Sequence, residues 1–196
     1  MTTEARFAAL VLAAGSASRF GGGKLLADYH GRPLLHGALA AARAACPGAV
    51  TVVTGADAPD VAACARAFDP QIRLVHAADH AEGMAASLRA GVASLSPEIR
   101  GALVFLGDMP RVPHAVLGPL AAAVAAGAPA SAPVFGGRRG NPVVLGRALF
   151  AEVAGLVGDV GARPILQALG TALALIEAPD DGVLFDVDER SDLARC

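Results

Sequence analysis

Apolar and polar positions along this chain follow two different periods. Short, mostly apolar runs recur: "FAALVLAA" (7–14), "AVTVVTG" (49–55), "IRLVHA" (72–77) and "GALVFLGD" (101–108), each bounded by Gly, Pro or Asp. Runs of this length and composition predict buried strands. Longer stretches with helical spacing predict helices over 33–45, 58–68 and 84–94, and then over 113–127, 147–156 and 162–169. "TALALIE" (171–177) and "GVLFDVD" (182–188) predict two further strands. The longest predicted irregular segment is "APASAPVFGGRRGNP" (128–142), of a kind that often carries function.

Strands that alternate with helices imply an α/β fold, with a mostly parallel sheet and helices on both faces. A single domain over 1–196 is expected, a Rossmann-like three-layer sandwich without internal repeats or a linker. Open sheets of this kind bind ligands beyond the carboxyl ends of their strands. The residues that follow each predicted strand are therefore where chemistry is expected.

Composition excludes several classes. With 54% hydrophobic and 17% charged residues, the chain is too apolar for disorder and long enough for one core. A net charge of -2 gives no electrostatic reason to expect nucleic acid or an acidic membrane as partner. Gly, Pro or charge interrupts every Ala/Leu/Val-rich stretch before it reaches membrane-spanning length. Cys46, Cys64 and Cys196 have no metal or Cys-x-x-Cys spacing, so free thiols in a reducing, cytoplasmic compartment are expected. A secretory leader centred on Phe7–Ala14 is disfavoured by Glu4 beside Arg6, which removes the positive start such a leader needs.

The stretch after the first strand, "GSASRFGGGK" (15–24), is rich in Gly and Ser and carries two cations. Such a loop leaves backbone N–H groups free to face an anion. It is not a Walker loop, since Phe20 stands where the second Gly belongs and Leu25 follows Lys24. Nor is it the dinucleotide fingerprint, because Ala17 replaces the second Gly. Gly15, Arg19, Gly21–Gly23 and Lys24 remain as a loop suited to a triphosphate, or else as a solvated surface loop. Asp108 closes the run "ALVFL", where a carboxylate can hold Mg²⁺ or stabilise the turn before Pro110. Asp186 and Asp188, two apart on a predicted strand, share one face as candidate ligands or as a solvated edge. His30, His36, His76 and His114 stand singly, without metal-ligand spacing.

"LVLAAGSASRFGGGKLLADYHGRPLL" (10–35) resembles the start of the MobA-like nucleotidyltransferases of molybdenum cofactor synthesis, with the pattern L-A-A-G-x-S-x-R-x-G-x-x-K-L-L and one extra glycine before Lys24. "EGMAASLRAG" (82–91), "FLGDMP" (105–110), "GGRRGNPVVL" (136–145), "GDVGARPIL" (158–166) and "DVDERSDL" (186–193) are similar to further family blocks, in family order. Asn141 replaces a common His, and "ERS" (189–191) replaces Thr-Pro-Glu. The Ala-Ala-Gly form resembles the MocA-like, CTP-using branch. The resemblance implies transfer of CMP from CTP to a phosphorylated molybdopterin-type acceptor, with release of pyrophosphate and a recipient molybdoenzyme downstream.

By the same resemblance, Ala13, Ala14, Gly15, Ser16, Arg19, Lys24, Gly83 and Ser87 bind the nucleotide. Lys24, Arg19 and Asp108 serve catalysis, Asp108 and Asp186 hold Mg²⁺, and Arg138, Asn141 and Arg163 face the acceptor. Planar Arg donors suit phosphate and pterin-like groups. Asp79, His80 and Glu82 are possible base contacts, whereas Met84 and Leu88, at i, i+4 spacing, read as helix core. The reaction needs no nucleophilic side chain, because charge neutralisation by cations, N–H groups and metal meets its main obstacle. Three other readings are weighed: guanylyl transfer, an NAD(P)H-dependent oxidoreductase acting on a heteroaromatic substrate, and a nucleotide-binding module without catalysis. The missing dinucleotide fingerprint disfavours the second, and intact Lys24, Asp108 and Asp186 disfavour the third.

Overall fold

The computed structural model describes residues 6–15 and 20–194. Its regular elements are β1 (Phe7–Ala13), a short hairpin β2 (Asp28–Tyr29) and β3 (Arg32–Pro33), α1 (Leu35–Ala45), β4 (Val50–Thr54), α2 (Ala58–Phe68), β5 (Arg73–His76) and α3 (Met84–Ala93). Then follow β6 (Gly101–Leu106), α4 (Leu117–Ala125), β7 (Ala130–Phe135), β8 (Arg138–Arg139), β9 (Val143–Gly146), α5 (Phe150–Ala154), α6 (Arg163–Ala168) and β10 (Leu173–Glu177). Each predicted helix is present within a few residues of its expected bounds.

One sheet runs in the order β5-β4-β1-β6-β9-β7-β10, with β8 paired to β7. β1 is parallel to both β4 and β6, and β4 is parallel to β5. β9 is antiparallel to β6 and β7, while β10 is parallel to β7. Helices cover both faces, as strands apolar on both sides require. Along β1, Ala9, Val11 and Ala13 pack under α1, α2 and α4, while Leu10 and Leu12 pack under α3, α5 and α6. Period-two alternation in one buried strand thus feeds two separate cores. Among the described residues, no helix is long and apolar enough to cross a membrane.

Two expectations are corrected. The segment 128–142 is not irregular, for it contains β7, β8 and the turn between them. Its small residues are packing residues: Ala130 and Ala132 are fully buried, and the buried Ser131 hydroxyl donates to the Leu120 carbonyl at 2.7 Å. Pro133 lies within β7, and its carbonyl accepts the Gly140 N–H at 2.9 Å. Conversely, 182–188 is no strand. A 3₁₀ turn spans Asp181–Val183, and an extended stretch follows without ladder pairing. The alternation survives, with Phe185 and Val187 buried and Asp186 and Asp188 exposed. A satellite core of Phe20, Tyr29, Leu34, Phe185 and Val187 imposes it in place of a neighbouring strand.

Candidate active site

Strand order reverses beside β1: the chain passes outward to β4 and β5 on one side, then returns to lay β6 on the other. In open α/β sheets such a reversal marks where ligands bind, beyond the carboxyl ends of the strands, here those of β1 and β6. A cleft of about 580 Å³ lies there, lined by Ala14 and Gly15 after β1, by Leu106 at the end of β6 and Asp108 after it, and by His80–Met84 and Ser87 around the start of α3. The expected nucleotide residues Ala14, Gly15, Gly83 and Ser87 are thus brought to one cavity with Asp108. Ala13 lines a smaller recess beside it with Gly15, Lys24, Asp57 and Asp108. Ser16 and Arg19 lie outside the described residues. Of the possible base contacts, His80 and Glu82 line the cleft and Asp79 does not. Glu82 also pairs with Arg89 at 2.9 Å.

Gly21, Gly22 and Gly23 all take positive φ, between 62° and 90°. This left-handed run, which glycine adopts without steric cost, leads the backbone into the turn Lys24–Leu26. Leu25 packs on the core, and Lys24 faces the crevice. Its ammonium donates to Asp108 Oδ2 at 2.7 Å and lies 3.8 Å from Asp188 Oδ1. Lys24 is mostly buried here, its side chain 12% exposed, so the pair is less screened than a surface one. Partial burial raises the Asp186 pKa, and the Asp108 and Asp188 charges raise it further, against the lowering effects of a backbone hydrogen bond and Lys24. Three carboxylates therefore share the field of one lysine.

The stretch carrying Asp186 and Asp188 is strapped down on either side. Val187 is fully buried, and its N–H donates to the Asp108 carbonyl at 3.1 Å. Arg111 stacks over Phe185 at 4.7 Å, and Arg190 over Phe20 at 4.8 Å. Phe20 belongs to the glycine-rich stretch, so the C-terminal strap and the lysine turn share one small core.

A second cleft of about 190 Å³ holds Asn141 and Arg163, together with Arg139, and shares Leu12, Met84, Leu106 and Asp159 with the first. Arg138 is not there. Successive strand residues face opposite sides, and Arg138 lines a separate hollow with Asp181 and Asp186. Sequence reasoning did not single out Asp57 or Asp159. The signal for Asp159 was an acid between glycines just before a helix. Among the described residues, no three His, Cys, Asp or Glu side chains form a ready-made metal cage.

A sheet whose order reverses beside a lysine-bearing glycine turn, with acids facing that lysine, defines an α/β protein with a charged site at its switch point. Residues 9–173 match the model of the MobA-like NTP transferase domain, and the chain belongs to that family. Asp186 and Asp188 lie beyond the matched segment. Among solved structures, the chain is similar to Rv0371c of Mycobacterium tuberculosis, at 28% identity and a TM-score of 0.85 over 98% of both chains. A structure of Rv0371c in complex with manganese is 27% identical, with a TM-score of 0.80 over 97% of both chains. A nucleotidyl transferase from Methanothermobacter thermautotroptrophicus is also 27% identical, with a TM-score of 0.78 over 97% of this chain and 95% of that one. No curated protein sequence matches the chain.

Proposed function

We propose that this nucleotidyltransferase moves CMP from CTP to a phosphorylated molybdopterin-type acceptor and releases pyrophosphate. The observation that carries the reading is the Lys24–Asp108 ion pair in the recess beside the switch-point cleft, with Asp186 and Asp188 near it. The triphosphate lies toward Lys24, whose ammonium donates to phosphate oxygens, and Arg19 supplies a second cation. The ribose and base lie toward Gly83 and Ser87, and the acceptor phosphate enters past Asn141 and Arg163. An acceptor oxygen attacks the α-phosphorus, the bond to the bridging oxygen breaks, and pyrophosphate leaves. Positioning and charge stabilisation carry the step without a covalent intermediate.

The donor set fits a divalent metal. Asp108, Asp186 and Asp188 offer only hard oxygens, and their mutual repulsion marks a site short of positive charge. Asp108 and Asp186 would hold Mg²⁺, and the manganese bound to the mycobacterial relative supports a divalent ion in this family. When bound, the ion supplies charge neutralisation to the phosphates. Mg²⁺ takes one or two carboxylates and completes its shell from substrate and water. Free Cys46 and Cys64 support the cytoplasmic setting, where a molybdoenzyme would receive the product.

The test is a nucleotide screen with molybdopterin as acceptor and pyrophosphate as readout. CTP is expected to react well above GTP, and Lys24→Ala is expected to lose about a hundredfold or more of turnover while staying folded. Preference for GTP would refute cytidylyl transfer, and unchanged pyrophosphate release by Lys24→Ala would refute the triphosphate assignment. The same preparation is expected to leave NADPH unoxidised.

A further inference from the structure

The first turn of a helix carries amide groups without intrahelical partners and a partial positive charge, a combination that attracts phosphate. The start of α3 opens on the main cleft, so a triphosphate could in principle be drawn to that end instead of to Lys24. In this chain the amides there are already taken. Gly83 N–H donates to the His80 carbonyl at 3.2 Å, Ala85 N–H to the Gly158 carbonyl at 3.1 Å, and Ala86 N–H to the Gly83 carbonyl at 3.2 Å. Met84 N–H donates to Asp159 Oδ1 at 3.1 Å. Two of these four acceptors come from the loop before α6, which is remote in sequence. Gly83 makes that approach possible: a Cβ there would come within 2.7 Å of the Gly158 carbonyl carbon. Asp159 also lines both the main cleft and the adjoining one.

We propose that Asp159 sets the direction in which a nucleotide lies in the cleft, by closing the α3 end to phosphate. Its carboxylate fills one amide, opposes the helix dipole and repels a polyphosphate, so that end receives ribose and base. Phosphates are left with the lysine turn. Asp159 acts here as a specificity-determining residue and takes no part in the bond exchange. The proposal rests on the nucleotidyl-transfer reading.

Inorganic pyrophosphate is the probe, titrated calorimetrically into Lys24→Ala, Lys24→Ala/Asp159→Asn and Lys24→Ala/Asp159→Ala, with CTP titrated into the wild type. Lys24→Ala weakens the phosphate end, so a gain in the double variants arises elsewhere. Asp159→Asn keeps an oxygen for the Met84 amide and loses only the charge, whereas Asp159→Ala loses both. The Asn double variant is expected to bind pyrophosphate about threefold more tightly than Lys24→Ala. The Ala double variant should bind it more tightly still, with both gains shrinking as salt rises. If the Ala variant fails to fold, the Asn variant decides. No gain in the double variants, with CTP bound by the wild type, overturns this proposal alone. A wild type that binds no nucleotide overturns the transfer reading and this proposal with it.

Discussion

Gly15 and Gly83 line the same cleft for opposite physical reasons. Among the described residues, and its chain neighbours aside, a Cβ at Gly15 would meet no atom within 4 Å, and Gly15 is not among the residues with positive φ. A methyl group there enters only the space proposed for the nucleotide. Gly83 has φ 110°, and its Cβ would collide with the backbone of Gly158 and Asp159. Gly15→Ala is therefore expected to change stability by less than about 0.5 kcal/mol and to weaken CTP binding clearly. Gly83→Ala is expected to cost about 2 kcal/mol or more in stability, because strain and overlap act together. Thermal melts and nucleotide titrations on the two variants test this. A destabilised Gly15→Ala protein with normal CTP affinity would reverse the assignment of that glycine to the ligand.

Elements join at the strap. The 3₁₀ turn Asp181–Val183 and the extended stretch after it add no strand to the sheet, yet they hold two of the three acids near Lys24. Val187 is the pin, fully buried in the satellite core and bonded through its N–H to the Asp108 carbonyl. Val187→Thr keeps the shape and buries a hydroxyl, which costs about 1–3 kcal/mol when unpaired. The variant is expected to melt earlier and, at temperatures where it stays folded, to need more divalent metal for half-maximal rate. A lower melting temperature with an unchanged metal requirement would show that the strap only stabilises the molecule and does not position the acids.

For the whole molecule, the proposed metal site joins the end of β6 to the strap, so its acids should act as a unit. Asp108→Asn and Asp186→Asn should each lose most transfer activity, and the double variant should be little worse than the poorer single one. Independent sites would multiply their losses. A second readout on the same variants needs no substrate. The pKa of Asp186 is raised in the folded state, so the fold binds its proton more tightly than the unfolded chain does. Its stabilising effect is full at pH values below the ordinary carboxylate range and is lost as pH rises through the raised value. With metal chelated, Asp186→Asn is therefore expected to be more stable than wild type at neutral pH, with the advantage fading in acid. Full activity in Asp108→Asn would end the metal proposal, and full activity in Asp186→Asn would move the second ligand to Asp188.

Some of this architecture could be read from local order alone. Uninterrupted apolar runs marked β1, β4 and β6, and helical periodicity marked α1, α2 and α3, because burial on both faces or on one stripe leaves a repeating pattern in the chain. The glycine run before Lys24 was legible for the same reason, since consecutive glycines announce a backbone that side chains would forbid. Three features lacked such a local signature. The small residues of β7 resembled loop until Ala130 and Ala132 were seen packed at full burial, with Ser131 bonded to Leu120. The alternation of 182–188 signalled a strand because a satellite core imposes the same in-and-out pattern as a sheet face. The pairing of Lys24 with Asp108 and Asp188, and of Asp159 with α3, joins residues remote in sequence. Periodicity records which side of the chain is buried; only the folded packing decides what it is buried against.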